Sequence, residues 1–287
     1  MLVITRKPDE LIEIICVDCG VLFFYDSLNV RLSLKTIKFV ENIFLSNSNQ
    51  HITAVHQPNF FPWIGYFIKI RLCDLFILLD DVQLQWRGYT RRTKIAKPGF
   101  SGSLQWFTLP IDTADTFSII NRIDLKNPAV WQHKALKQLT DSYRQHPFFE
   151  ETFEVAKEWI LLSEKNLGAF NLYGIRRLMD ILHLKTPIQL SSETPVSSTG
   201  SKRITDLMNQ YESKVYLSGR GGNKYHQTDD FIQEGIQVLE MPDLIHQLQP
   251  MKMKGIHPEA SILDWFFRLG FDETRSLLEQ YSQNITL

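Results

Sequence analysis

The chain has 287 residues, 44% of them hydrophobic, with 31 basic side chains against 32 acidic ones. That length allows one large domain or two modest ones, and the balanced charge gives no whole-chain drive toward nucleic acid or a membrane surface. No apolar run reaches the roughly 18 residues that cross a bilayer, and the opening MLVITRKPDE lacks the basic-then-apolar order of a secretory signal, so no membrane insertion and a cytoplasmic location are expected. Three cysteines, Cys16, Cys19 and Cys73, argue against a disulfide framework. Cys16 and Cys19 form a CxxC with no second ligand pair nearby, so they are read as structural and no metal site is assigned.

Residues 1–50 form a β-rich extension. MLVITRK, ELIEIICV, VLFFYD and NVRLSLK are short β-type runs broken at Pro8-Asp9, Asp18-Cys19-Gly20 and Asp26-Ser27. The segment weakly resembles the carbon storage regulator family of RNA-binding proteins. Arg6 and Lys7 stand at its first-strand basic positions, but its late Val-x-Arg contact has no match near Phe39-Val40-Glu41.

From residue 51 onward the pattern alternates strands and helices, which predicts one α/β domain over 51–287 with a parallel or mixed sheet. Thr53 to His56 and Leu75 to Leu79 are the first two strands, with Phe61 to Leu72 as the crossover helix. Trp106 to Leu109 and Ile119 to Ile123 add strand signals. A helical insertion follows near 129–184: Ala129 to Tyr143, a helix entered through Pro147, and one ending near Leu184, each with apolar residues at three- and four-residue spacing. Alternation then returns. Ile188 to Leu190, Lys214 to Leu217 and Ile236 to Glu240 read as strands, and Ser261-Ile-Leu-Asp264 matches a capping box for a helix expected to end at Gly270.

If the first two strands are parallel neighbours, their exits share one sheet edge, where open α/β folds build their sites. His56, Gln57 and Asn59 leave the first strand; Asp80, Asp81 and Gln83 leave the second. Adjacent strand residues face opposite ways. One of the two carboxylates is therefore expected to cap a helix or to pair with Arg87, Arg91 or Arg92, leaving the other as a base or substrate ligand beside His56. Trp86 and Tyr89 interleave with Arg87, Arg91, Arg92 and Lys94, a composition suited to an anionic ligand such as a nucleotide-sugar diphosphate, or to an RNA backbone. Ser218, Gly219, Arg220, Gly221 and Gly222 come straight off a strand, with Tyr225 just beyond, and allow close backbone approach to a ligand. Nucleotidyltransferases carry His-x-Gly-His after their first strand. Trp63-Ile64-Gly65-Tyr66 stands here instead, so that mechanism has no imidazoles to run on.

Taken together, His56-Gln-Pro-Asn-Phe-Phe-Pro-Trp-Ile-Gly-Tyr-Phe67, Asp80-Asp-Val-Gln83, Trp106 to Pro110, Tyr216-Leu-Ser-Gly219 with Tyr225, and Ser261-Ile-Leu-Asp264 with Gly270 resemble the WbqC-like family over about residues 52–270. The resemblance implies a place in bacterial O-antigen, lipopolysaccharide or other surface-polysaccharide biosynthesis, and a transferase acting on a nucleotide-linked or acyl-activated amino sugar. It leaves the cofactor unknown. The chain departs from the family at Tyr89-Thr-Arg-Arg-Thr93, which keeps Arg92 and loses two asparagines, at Ala135, where a histidine is usual, and at Ile245-His-Gln247. On this reading His56, Asp80 and Asp81 are catalytic, and Gln57, Asn59, Tyr66, Gln83, Arg92, the 218–222 loop and Tyr225 bind a small anionic or sugar substrate. The alternative is a non-catalytic RNA-binding or regulatory protein; a zinc hydrolase has only scattered histidines and carboxylates behind it and no HExxH spacing.

Overall fold

The computed structural model describes residues 2–6, 11–16, 22–26, 51–99, 102–112, 118–194, 196–219 and 228–285. The chain divides into two compact units, Met1–Gln50 and His51–Leu287. In the first, β1 (Leu2–Arg6), β2 (Leu11–Cys16) and β3 (Leu22–Asp26) form an antiparallel sheet in that order. The expected strand near NVRLSLK lies outside the described residues.

The second unit is built on a five-stranded sheet. Its strands are β4 (Ile52–His56), β5 (Leu75–Leu78), β10 (Ile188–Leu190), β11 (Val215–Ser218) and β12 (Gln237–Glu240), in the spatial order β10-β5-β4-β11-β12. Every pairing is parallel. Counted by their order along the chain, the strands lie 3-2-1-4-5, which is the doubly wound arrangement. The expected α/β fold is therefore what forms, with the sheet wholly parallel.

Strand alternation explains the two faces. Ala54, Phe76, Leu78 and Leu217 join the larger core with the crossover helix α1 (Ile64–Arg71). Val55, Leu75, Ile77 and Tyr216 pack on the other face against Leu207 and Met208 of α5 (Gly200–Gln210) and Phe231 of α6 (Thr228–Gln233). A strand buried on both faces has no polar positions to spare, and β5 reads LFIL with all four residues buried.

Between β5 and β10 the chain makes the hairpin of β6 (Arg92–Ala96) and β7 (Leu104–Thr108), the short pair β8 (Ile111–Asp112) and β9 (Asp124–Leu125), and the helices α2 (Pro128–Tyr143), α3 (Phe149–Ile160) and α4 (Leu167–Ile181). Phe60 and Phe61 sit among Phe107, Trp159 and Phe170, so the aromatics of this insertion are core. The Ile119 to Ile123 stretch differs from expectation: Ile120–Arg122 is a 3-10 turn, because the Asn121 N–H turns in to donate to the Asp80 carbonyl at 2.8 Å. After β12 come the single turn α7 (Leu244–Gln247) and the long α8 (Ile262–Gln283). The Ser261 hydroxyl caps α8 by accepting from the Leu263 N–H, and the helical backbone breaks at Gly270, where the first half was expected to end. No helix among the described residues is long and apolar enough to cross a membrane.

Candidate functional site

In a doubly wound sheet the two strands that flank the reversal of winding part at their carboxyl ends, leaving a crevice. Here those strands are β4 and β11. Their pairing runs Ile52 to Val215, Thr53 to Tyr216 and Ala54 to Leu217 and goes no further, so in register Ser218 lies beside Val55 and Gly219 beside His56. The His56 turn and the start of the 218–222 loop therefore share one edge. Arg220, Gly221, Gly222 and Tyr225 lie outside the described residues.

The turn after β4 is held from many sides. Gln57 donates from Nε2 to the Gln83 carbonyl at 3.1 Å and accepts at Oε1 from the Thr90 hydroxyl at 3.0 Å. The buried Asn171 of α4 donates to the carbonyls of Pro58 at 2.9 Å and Thr90 at 2.7 Å. Phe60 N–H donates to the Tyr89 carbonyl, and Ile262 N–H, from the first turn of α8, to that of Pro62. Phe61 takes a positive φ of 41° directly before Pro62, a conformation a buried aromatic keeps only where its surroundings fix it. That backbone delays α1, whose first residue is Ile64 rather than the expected Phe61. Asn59 is buried in this turn, and its backbone hydrogen-bonds the Tyr66 phenol.

His56 closes β4 at this edge. Its Nδ1 lies 2.9 Å from the Gln57 carbonyl oxygen; a carbonyl only accepts, so Nδ1 carries the proton and Nε2 keeps its lone pair. The Tyr66 hydroxyl donates to the same carbonyl at 3.2 Å, and its ring meets the imidazole edge-on at 4.9 Å between centroids. Burial, and after it the nearby Lys69 ammonium, lower the imidazole to about 4 against the pull of the Gln57 hydrogen bond. His56 is thus neutral at physiological pH, in a fixed tautomer.

The two aspartates hold the edge together. Asp80 accepts from the Ser192 N–H at 3.0 Å, the Ser192 hydroxyl at 2.6 Å, the Ser191 hydroxyl at 3.3 Å and Asn121 Nδ2 at 3.3 Å. Asp81 pairs with Arg203 of α5 at 2.5 Å and accepts from the same Ser191 hydroxyl, which lies between the two carboxylates. Opposite facing was expected of a continuing strand, but β5 ends at Leu78 and the two carboxylates share the Ser191 hydroxyl. The ion pair falls to Arg203, not Arg87, Arg91 or Arg92, because Asp81 turns to the α5 side of the sheet. His56 is oriented by the Gln57 carbonyl, not by a carboxylate, because Asp80 is drawn to the turn after β10.

The arginines released from that role lie on an aromatic shelf. The Arg91 guanidinium stacks 4.3 Å above Trp86 and that of Arg92 4.0 Å above Trp106, both tryptophans 42% exposed. Arg92 also donates to the Arg87 carbonyl at 2.7 Å. Among the described residues no carboxylate pairs with Arg87, Arg91 or Arg92, and the Nε–H groups of Arg91 and Arg92 have no acceptor. Lys94 is different, being paired with Glu259 at 3.1 Å. Gln83 is exposed and joins the shelf to the turn through its carbonyl, while Ser218 is buried and donates to the Gly219 carbonyl at 3.2 Å. Among the described residues no three His, Cys, Asp or Glu side chains converge as metal ligands.

Two residues of this edge escaped the reading of the sequence. Asn171, 113 positions from Pro58, carries no local sign of its role. Lys69 had one: it is the lone charged residue in the run from Ile64 to Ile70, every member of which is buried.

The sequence model of the WbqC-like protein family matches residues 57–276. Among curated proteins, the uncharacterized protein Rv1507c of Mycobacterium tuberculosis is 26% identical over 218 residues, covering 76% of this chain and 93% of that protein. No solved structure is significantly similar. The matched span takes in the braced turn, the Asp80-Asp81 corner, the tryptophan shelf, β11 and the capped start of α8, and by that match the chain belongs to the WbqC-like protein family.

Proposed function

We propose that the protein is a transferase of bacterial surface-polysaccharide assembly, acting on a nucleotide-linked or acyl-activated amino sugar at the β4–β11 edge. The observation that carries the reading is the neutral His56 imidazole, its Nε2 lone pair without a hydrogen-bond donor among the described residues, at the crevice where the sheet reverses its winding. A neutral imidazole in a fixed tautomer is suited to take a proton from an acceptor hydroxyl or amine as that group attacks the activated donor. Charge gathers on the departing phosphate or acyl-carrier group, and Arg91 and Arg92, which have no carboxylate partner among the described residues, would bind it. Gln57 sets the level of the shelf relative to the turn, and Asp80 and Asp81 keep the neighbouring strand exits in register.

The test pairs His56→Ala with Arg92→Ala against a panel of nucleotide sugars and acyl donors. Removing the base is expected to lower kcat by about 10²–10⁴ with little change in ligand-induced stabilisation. Removing the guanidinium is expected to raise KM about tenfold or more, as for loss of a charge-assisted hydrogen bond. Both variants behaving as wild type would remove this edge from consideration.

A further inference from the structure

One cation sits inside the crevice itself. The Lys69 side chain is 4% exposed, and its Nζ donates to the Val55 carbonyl at 3.0 Å. The carbonyls of Ile52 and His56 accept from Asp74 and Leu79 on the β5 side, so that of Val55, one residue out of phase, points toward β11. The β4–β11 ladder has ended one residue earlier, at Ala54 and Leu217. The ammonium therefore occupies the position of the next ladder bond, wedged where the two strands part. A Cβ added at Gly219 would lie 3.9 Å from Nζ, which puts the amine level with the first residue of the glycine-rich loop.

An ammonium has three N–H donors, and among the described residues Val55 supplies its one acceptor. No carboxylate pairs with it there. The ionisable groups that act on it or feel it are the Cys73 thiol, pushed up to about 12 chiefly by burial, and the His56 imidazole, and both are uncharged at neutral pH. A buried charge without a counter-charge is costly, and an apolar side chain would pack α1 on β4 without that cost. What the arrangement lacks among the described residues is an anion.

We propose that the Lys69 ammonium anchors a phosphoryl oxygen of the substrate in the β4–β11 crevice, next to His56 and Gly219. The inference rests on the reading of this edge as the substrate site and adds the group that holds the donor's phosphate. The Arg91 and Arg92 shelf then serves the part of the ligand that extends outward, and Lys69 fixes the part nearest the base. Phosphate is favoured over carboxylate because the ammonium has two N–H donors beyond the one given to Val55, and a tetrahedral oxyanion presents acceptors in more directions than a planar one.

The full chain is titrated with inorganic pyrophosphate by calorimetry and thermal melting, with sodium chloride at matched ionic strength and acetate as controls. Pyrophosphate is expected to raise Tm in wild type and in His56→Ala. Lys69→Met is expected to melt at or above the wild-type temperature without ligand and to bind pyrophosphate at least about tenfold more weakly, a loss on the scale of one charge-assisted contact. Undiminished binding by Lys69→Met, an equal shift with acetate, or a shift reproduced by sodium chloride overturns the proposal. Should Lys69→Met not fold, the side-chain NMR signal of Lys69 in the wild type decides: a titration midpoint moved upward by pyrophosphate supports the anchor, and an unmoved one overturns it. The two readings fail separately. Turnover lost in His56→Ala while Lys69→Met still binds pyrophosphate defeats the anchor alone, whereas full turnover in His56→Ala with binding lost in Lys69→Met defeats the base alone.

Discussion

His56 and Lys69 are both bases that the fold drives toward their neutral forms, and each leaves its own mark on stability against pH. The imidazole titrates at 6.5 in an unfolded chain and about 4 here. Between those values the unfolded state binds the extra proton, so His56 costs stability as pH falls from about 6.5 to 4, and the loss levels off below. The ammonium titrates at 10.5 unfolded and about 8 here. Between 8 and 10.5 the unfolded state again holds the extra proton, so stability contributed through Lys69 rises with pH across that window. The groups around them are the Tyr66 phenol and the Cys73 thiol, both pushed upward by burial, and Asp74, which accepts from the Ile52 N–H. Urea unfolding followed from pH 4 to 10 is expected to show a shallower acid limb in His56→Ala and a flattened alkaline rise in Lys69→Met, relative to wild type.

At the scale of elements, the break in α8 is the most exacting backbone requirement. Gly270 takes φ 75° and ψ −179°, a region open in practice to glycine alone, and an added Cβ would meet the Phe148 ring at 2.8 Å. Gly270→Ala is expected to cost about 2–4 kcal/mol, backbone strain and overpacking together, read as a lowered Tm with the sheet retained. This break was legible from the capping box and the glycine that follows it. So were β4, β5 and β11, whose apolar runs leave a buried parallel strand as the simplest reading, and α2 to α4, whose helical period is strong. The β6 strand was not singled out, although Arg92 and Lys94 alternate with Thr93 and Ile95 at the strand period, because its arginines stand out first as a basic, ligand-binding run. At the site, local sequence marked the His56 turn and the Gly219 loop. It did not mark the partners of Asp80 and Asp81, since Ser191, Ser192 and Arg203 reach them from more than a hundred residues away. Lys69 sat in plain sight, but a lysine near the end of a short helix is ordinarily solvated, and only the burial of the whole helix changes that.

For the molecule as a whole, the family match begins at residue 57 and the second compact unit at His51, and every candidate site residue falls within that second unit. The sheet within it has its earliest strand at the centre. Strand β4 finds β5 after one short helix, but its other edge waits for β11, and the Ser213 hydroxyl donates to the His51 carbonyl across 162 residues of sequence. Contacts that distant form late, since the intervening chain must be ordered before they repay its entropy. Pulse-labelled hydrogen exchange during refolding is expected to protect β5 amides bonded to β4 before β11 amides bonded to it, and simultaneous protection would count against this order. The crevice with Lys69 at its seam is then the most sequence-distant join in the sheet, so a chain still emerging from the ribosome carries that ammonium beside an open strand edge. A charge at an open strand edge disfavours pairing with a wrong strand, so until β11 arrives the ammonium would act against misjoining there.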